Sequence, residues 1–148
     1  MSAPALSAQA LARLRRGVPA LVLSADGGGW PHSSYTWAVA ASAQRLRLAV
    51  DAGSTTGANL AAGGRGGLQV VGNSGLNLLI CGTVRLLRAR IAAAGPAAME
   101  LWELGVESVQ DQSWPGVTTS ALAYRWPAEQ RAALRRMERA VYLEMRAA

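Results

Sequence analysis

The sequence contains no Lys and no Phe, a single Cys and a single His. Each scarcity removes a class of chemistry. Cys81 has no partner for an internal disulfide, and its place in an apolar run reads as a small buried hydrophobe. One Cys and one His cannot assemble a structural zinc site. Neither a GxxxxGK[ST] nor a GxGxxG motif occurs, so the Gly-rich stretches at 27–29 and 63–67 read as turns rather than phosphate loops. No stretch approaches the ~20 apolar residues that a membrane-spanning helix needs, and no membrane partner is expected. The first 17 residues lack the charged-then-apolar order of a secretory leader, which makes the cytoplasm the expected compartment.

What is present suffices for one domain over residues 1–148. The composition is 51% hydrophobic, and a chain of this length buries roughly 68–70% of the surface its unfolded form exposes. The net charge is +6, and all 15 basic residues are Arg. Residues 1–93 hold nine Arg against only Asp26 and Asp51, whereas 94–126 hold Arg125 against four acids. A basic balance suggests nucleic acid, but a single-strand binder interleaves its cations with aromatics along a strand or groove. The five Trp and three Tyr lie mostly away from the Arg clusters, so no nucleic-acid partner is expected.

Punctuation residues divide the chain. Ser7 is placed to cap a helix over about 7–16, with Leu6, Leu11 and Leu14 on its apolar side and Gly17 closing it. Ala20–Ala25 reads as a buried strand. Asp26-Gly27-Gly28-Gly29 is a hairpin signal leading to a second strand from about Trp30 to Ala41. Arg45–Val50 alternates charged and apolar residues as a half-buried strand does. A short helix is expected near 57–62, a fourth strand at 68–72, a turn at Asn73-Ser74-Gly75 and a fifth strand at 76–88. Beyond it, residues 92–104 read as a helix, 106–112 as a sixth strand and 117–126 as a seventh. A closing helix is expected over about 127–147, with Leu134, Met137, Val141 and Met145 forming a stripe that reads as packing. Short strands at regular spacing with tight turns indicate a mainly β barrel or sandwich with flanking helices.

The segment Gly53-Ser54-Thr55-Thr56-Gly57, between a strand and a helix, has the setting of a nucleophile elbow, but its central residue is Thr where the elbow needs Ser. Its small residues leave backbone N–H groups exposed at a helix start, where the dipole favours an anion, and three hydroxyls add donors. The plainer alternative is that Ser54 or Thr55 only caps the helix.

Three segments, Gly29-Trp30-Pro31-His32-Ser33-Ser34, then Leu46 to Ser54 with Asn59-Leu60, then Leu76 to Val84, carry a resemblance. In order and spacing they resemble the FMN-binding core of the pyridoxamine 5′-phosphate oxidase family over roughly residues 6–90. The resemblance implies a six- to seven-stranded antiparallel split β-barrel that forms a homodimer with FMN in a groove between subunits. It implies that Ser34, Tyr35, Thr36 and Trp37 line the isoalloxazine and phosphate region, with Ala49 and Val50 alongside. Ser54, Thr55 and Thr56 correspond to the phosphate loop, and Asn77 stands where the family has a ring-contacting Gln.

The departures concern charge. The family has Arg at the place of Ser34 and an Arg-Lys pair at Thr55-Thr56, and its Arg-rich C-terminal substrate motif is missing. True pyridoxamine phosphate oxidation is therefore not expected. The implied activity is an FMN-dependent oxidoreductase with an unidentified small-molecule substrate. The alternative is a split-barrel homodimer whose flavin binding is weakened or lost and which serves as a binding or structural protein. His32, opening the second strand, is expected to be structural.

Overall fold

The computed structural model describes residues 2–148. Helix α1 (Ala8–Leu14) is followed by strands β1 (Val18–Ala25), β2 (Pro31–Ser42) and β3 (Arg45–Asp51). Then come helix α2 (Thr55–Gly63), strands β4 (Arg65–Val71), β5 (Asn77–Arg88) and β6 (Met99–Asp111), and helix α3 (Arg131–Ala147). The six strands close into one antiparallel barrel in the order β1-β2-β3-β6-β5-β4.

Strand side chains alternate between faces, so closure sorts the sequence by parity. Ala20, Val22, Ala38, Ala40, Leu46, Leu48, Val50, Leu68, Val70, Leu78, Ile80, Trp102 and Leu104 form one buried cluster inside the barrel, and all are even-numbered. A register shift opposite Cys81 and Gly82 switches the parity of β6, so Val109 pairs with Ile80 and packs on the interior. Gly82 has no substitute there, because a Cβ would lie 1.8 Å from the Gly105 carbonyl oxygen. The helices plug the ends. α1 adds Leu6, Ala10 and Leu14 to the interior cluster, and α2 adds Leu60. Leu60 enters because residue 66 is Gly, whose missing side chain would otherwise meet Leu60 Cδ2 at 2.9 Å.

The odd-numbered face of β2, β3 and β6 is covered as well. Trp37, Val39, Ala49 and Leu101 pack with Val141, Tyr142 and Met145 of α3 and with Ile91 and Ala94. Of the expected stripe on the closing helix, Val141 and Met145 are buried here and Met137 packs beside them, while Leu134 is half-buried. Leu46 to Val50 are buried on both faces rather than one. Arg47 is only 8% exposed, with Nε 2.9 Å from Glu103 Oε2 and Nη1 donating to the Ala148 carbonyl at 2.6 Å.

Four expectations are corrected. Residues 92–104 do not form a helix: a short 3-10 turn, Ala92–Ala97, interrupted at Gly95, gives way to β6 from Met99. No seventh strand forms over 117–126, which runs without regular structure, tied by Leu122 N to the Val71 carbonyl at 3.1 Å. Closure explains this, since a barrel leaves no free edge for another strand to join. Cys81 is half-buried rather than buried, lying beside Gly67. The closing helix also begins later than expected, at Arg131.

Glu103 gathers the outer wall's charges, meeting Arg47 on one side and Arg85 Nη2 at 2.8 Å on the other. Burial raises its pKa, but the Arg85 hydrogen bond and the charges of Arg47, Arg85 and Arg45 outweigh it and hold the carboxyl below its ordinary value. A group depressed on folding contributes stability above its unfolded pKa and loses that contribution as pH falls through the folded value. Glu103→Gln should therefore destabilise by about 3 kcal/mol at pH 7, and the gap should narrow as urea melts are taken below about pH 4. A gap constant from pH 7 to pH 3 would contradict this origin.

Candidate functional site

Two adjoining cavities collect most of the predicted residues. The first, 240 Å³, is lined by His32, Ser34, Tyr35, Val50, Asp51 and Ser54 to Thr56, together with Val22. The second, 460 Å³, lies on the outer wall among Tyr35, Thr36, Trp37, Ala49, Asp51, Met99 and residues 124–127. Tyr35 and Asp51 line both, so the two spaces meet at the rim of the barrel. Asn77 lines neither. It sits at the start of β5 opposite Val71, accepting a hydrogen bond from Gln69 Nε2 at 2.5 Å.

The first cavity is built by the β3–α2 connection. Ser54 N–H donates to the Asp51 carbonyl at 3.2 Å, and Gly53 turns the chain with φ +73°. Ser54 Oγ accepts from Gly57 N–H at 3.1 Å, so Ser54 is the helix cap. Thr55 and Thr56 occupy the first helical positions, where N–H groups have no intrahelical acceptor. Ser34 Oγ and Thr56 Oγ1 share a hydrogen bond at 2.7 Å, tying β2 to α2. Asn59 Nδ2 donates to Ser24 Oγ at 3.1 Å and fixes the helix to β1. No Arg lines this cavity, and the carboxylate at its rim is Asp51.

The second cavity has aromatic walls. Tyr35 is 61% exposed and meets Tyr124 edge-on with ring centres 6.4 Å apart. Trp37 meets Trp126 at 6.2 Å and Tyr142 at 5.8 Å. A hydrogen-bond chain anchors the segment that supplies Tyr124 and Trp126. Trp37 Nε1 donates to Tyr124 OH at 2.6 Å, and that hydroxyl donates to Glu138 Oε1 at 2.5 Å. Trp126 Nε1 donates to Glu138 Oε2 at 3.2 Å. Burial and then the bond to Glu138 push the Tyr124 phenol well above its ordinary pKa, which keeps it a donor at neutral pH. Burial, with the nearby Glu138 charge adding to it, does the same to Tyr142, whose hydroxyl has no partner among the described residues. Thr36 Oγ1 donates to the Ala49 carbonyl at 2.8 Å and so braces β2 against β3.

Sequence reasoning missed Tyr124, Trp126 and Glu138. The available signal was two aromatics in alternation, Tyr124 and Trp126, upstream of a helix with one acid on its inner side. That pattern was read as a strand.

Comparison with solved structures identifies the fold. The fold is the split barrel of pyridoxamine 5′-phosphate oxidase-like proteins. HupZ of Group A Streptococcus superposes with a TM-score of 0.59 at 14% identity, covering 80% of this chain and 100% of that one. An F420 reductase gives 0.56 at 14% identity, covering 67% and 94%. A Clostridium acetobutylicum protein related to general stress protein 26, of the pyridoxinephosphate oxidase family, gives 0.54 at 12%, covering 74% and 89%. The likeness is one of fold. No protein-family model and no curated protein matches the sequence. Among the described residues no helix is long and apolar enough to cross a membrane, and no cluster of three metal-ligating side chains occurs.

The anchoring network makes a direct prediction. Tyr124→Phe leaves the Trp37 indole N–H without its acceptor and should lower stability by about 1–3 kcal/mol, read by urea unfolding. A loss below about 0.5 kcal/mol, the range of neutral surface changes, would show that the network does not hold the segment.

Proposed function

We propose that this chain is a flavin-binding redox protein, with FMN as its cofactor and a small molecule as its substrate. The observation that carries the reading is the joining of an amide- and hydroxyl-lined cavity at a helix start to an aromatic cavity on the barrel wall. A phosphorylated flavin has the same two ends. The N–H groups of Thr55 and Thr56 and the exposed Thr55 hydroxyl suit phosphate oxygens. Tyr35, Trp37 and Ala49 offer a broad apolar wall to a planar ring. The residues fit the group in shape and donors, with less positive charge than a phosphate ordinarily meets.

Bound flavin supplies two-electron redox chemistry. The protein's own part is placement. The first turn of α2 orients the phosphate end, and Trp126 and Tyr124 keep water from the wall that faces the ring. Thr36, bonded to the Ala49 carbonyl, holds the two strands that form that wall at a fixed spacing. His32 lines the phosphate end, so its role in this reading is to line the pocket rather than to move protons at the ring. The high exposure of Tyr35, which borders both cavities, supports a second copy of the chain closing the open side.

One observation favours a second reading, a split barrel with little or no cofactor affinity. Asp51 borders both cavities, and Ser34, Thr55 and Thr56 supply no positive charge. Each absent charged hydrogen bond weakens phosphate binding by about tenfold. F420 is the second cofactor to offer, given the F420 reductase among the structural neighbours.

The test is the visible spectrum of protein incubated with FMN and then desalted. Retained flavin absorbance is expected, and Thr55→Arg, at an exposed position of the same cavity, should tighten binding by about tenfold. Colourless wild-type protein, together with a Thr55→Arg variant that still binds none, would overturn the cofactor reading and leave the fold untouched.

A further inference from the structure

We propose that a third cavity, of 570 Å³, binds a small organic anion: a carboxylate or phosphate group carried on an apolar body. This cavity lies between the segment before α3 and the first turns of that helix, and Arg125, Arg131 and Arg135 converge on it beside Tyr124, Trp126 and Glu138. The site is distinct from the proposed phosphate end beneath α2, and the inference does not depend on the cofactor reading.

Charge carries the argument. The ion pairs among the described residues are Arg47–Glu103, Arg85–Glu103 and Arg88–Glu144, so none of the three cavity guanidiniums has a carboxylate partner. The one acid in the lining, Glu138, already accepts from the Tyr124 hydroxyl and the Trp126 indole. Glu129, the nearest acid in sequence, is exposed and makes no ion pair. Three guanidiniums against one carboxylate leave the cavity with a positive potential that favours an anion. Their position sharpens the point. Arg131 and Arg135 stand at the N-terminal end of α3, the positive pole of the helix, where cations are disfavoured and anions favoured. No acid occupies that first turn, and Gln130 gives it no side-chain cap.

The aromatic side defines the rest of the ligand. Tyr124, Arg125 and Trp126 line this cavity and the 460 Å³ aromatic cavity alike, so aromatic surface and a cation border both spaces. A guanidinium fork is suited to carboxylate and phosphate oxygens, and Pro19 with Trp126 offers apolar surface beside it. A bare inorganic ion would leave that surface unused. An aryl or alkyl phosphate, or the equivalent carboxylate, uses both.

The experiment is calorimetric titration with phenyl phosphate, inorganic phosphate and phenol at constant ionic strength. Phenyl phosphate should bind more tightly than inorganic phosphate, and phenol should not bind measurably. Replacing Arg131→Ala together with Arg135→Ala should weaken phenyl phosphate by about tenfold or more. Arg139→Ala, which removes an exposed cation outside the cavity lining, should leave the affinity unchanged. All of these Arg are exposed, so the variants should fold, and their far-UV spectra provide the check. Equal weakening by Arg139→Ala, or no weakening in the double variant, would overturn the site. So would Arg131- and Arg135-dependent binding of a random RNA oligomer with a steep salt slope and no binding of phenyl phosphate. The FMN spectrum reports the other site separately, so either proposal can fail without the other.

Discussion

Closure of six strands into a barrel is the constraint from which the rest follows. It assigns every second residue to an interior with no solvent, and it leaves no edge for further chain to pair with. Everything after β6 must therefore pack on the outside. The outer face of β2, β3 and β6 receives it, which is why Trp37, Val39, Ala49 and Leu101 are as buried as the interior residues. The same arrangement creates the groove. The segment before α3 crosses the wall at Tyr124 and Trp126 and leaves space between its rings and those of Tyr35 and Trp37.

Polar groups decide where that outer layer sits. Glu138 draws Tyr124 and Trp126 toward α3, and Trp37 completes the chain from the barrel side. Glu144 does comparable work at the other flank, accepting from Ala92 N–H at 2.9 Å and Ala93 N–H at 2.7 Å. These bonds fix position, because apolar contact alone is non-directional. The groove's geometry thus rests on two carboxylates of one helix. The Arg residues at the start of that helix are left with no such partner.

Much of the first half was legible because its turns are chemically marked. Asp26 Oδ1 accepts from Gly28 and Trp30 N–H, both at 2.9 Å, which is the local chemistry that makes Asp-Gly a turn signal. Ser7 and Ser54 both cap the helices they precede. Ser34, Val50, Ser54, Thr55 and Thr56 line one cavity, a proximity that follows from strand parity and a helix start, which are local properties. The second half resisted for two reasons. Leu101 to Leu104 are buried on both faces of β6, so the run lacks the period of two, and a short run of this kind does not distinguish strand from helix. Residues 117–126 have strand-like composition, but whether they pair depends on barrel closure, which no local window contains. Tyr124 and Trp126 went unrecognised as site residues for the same reason.

The central claim is that the start of α2 and the aromatic wall form one continuous ligand site. Amide and indole NMR shifts during FMN titration test it most directly, because both ends report in one spectrum. The account predicts that the backbone signals of Thr55 and Thr56 and the indole signals of Trp37 and Trp126 move together along a single binding curve. Shifts confined to one end, or scattered over surfaces away from both cavities, would contradict it.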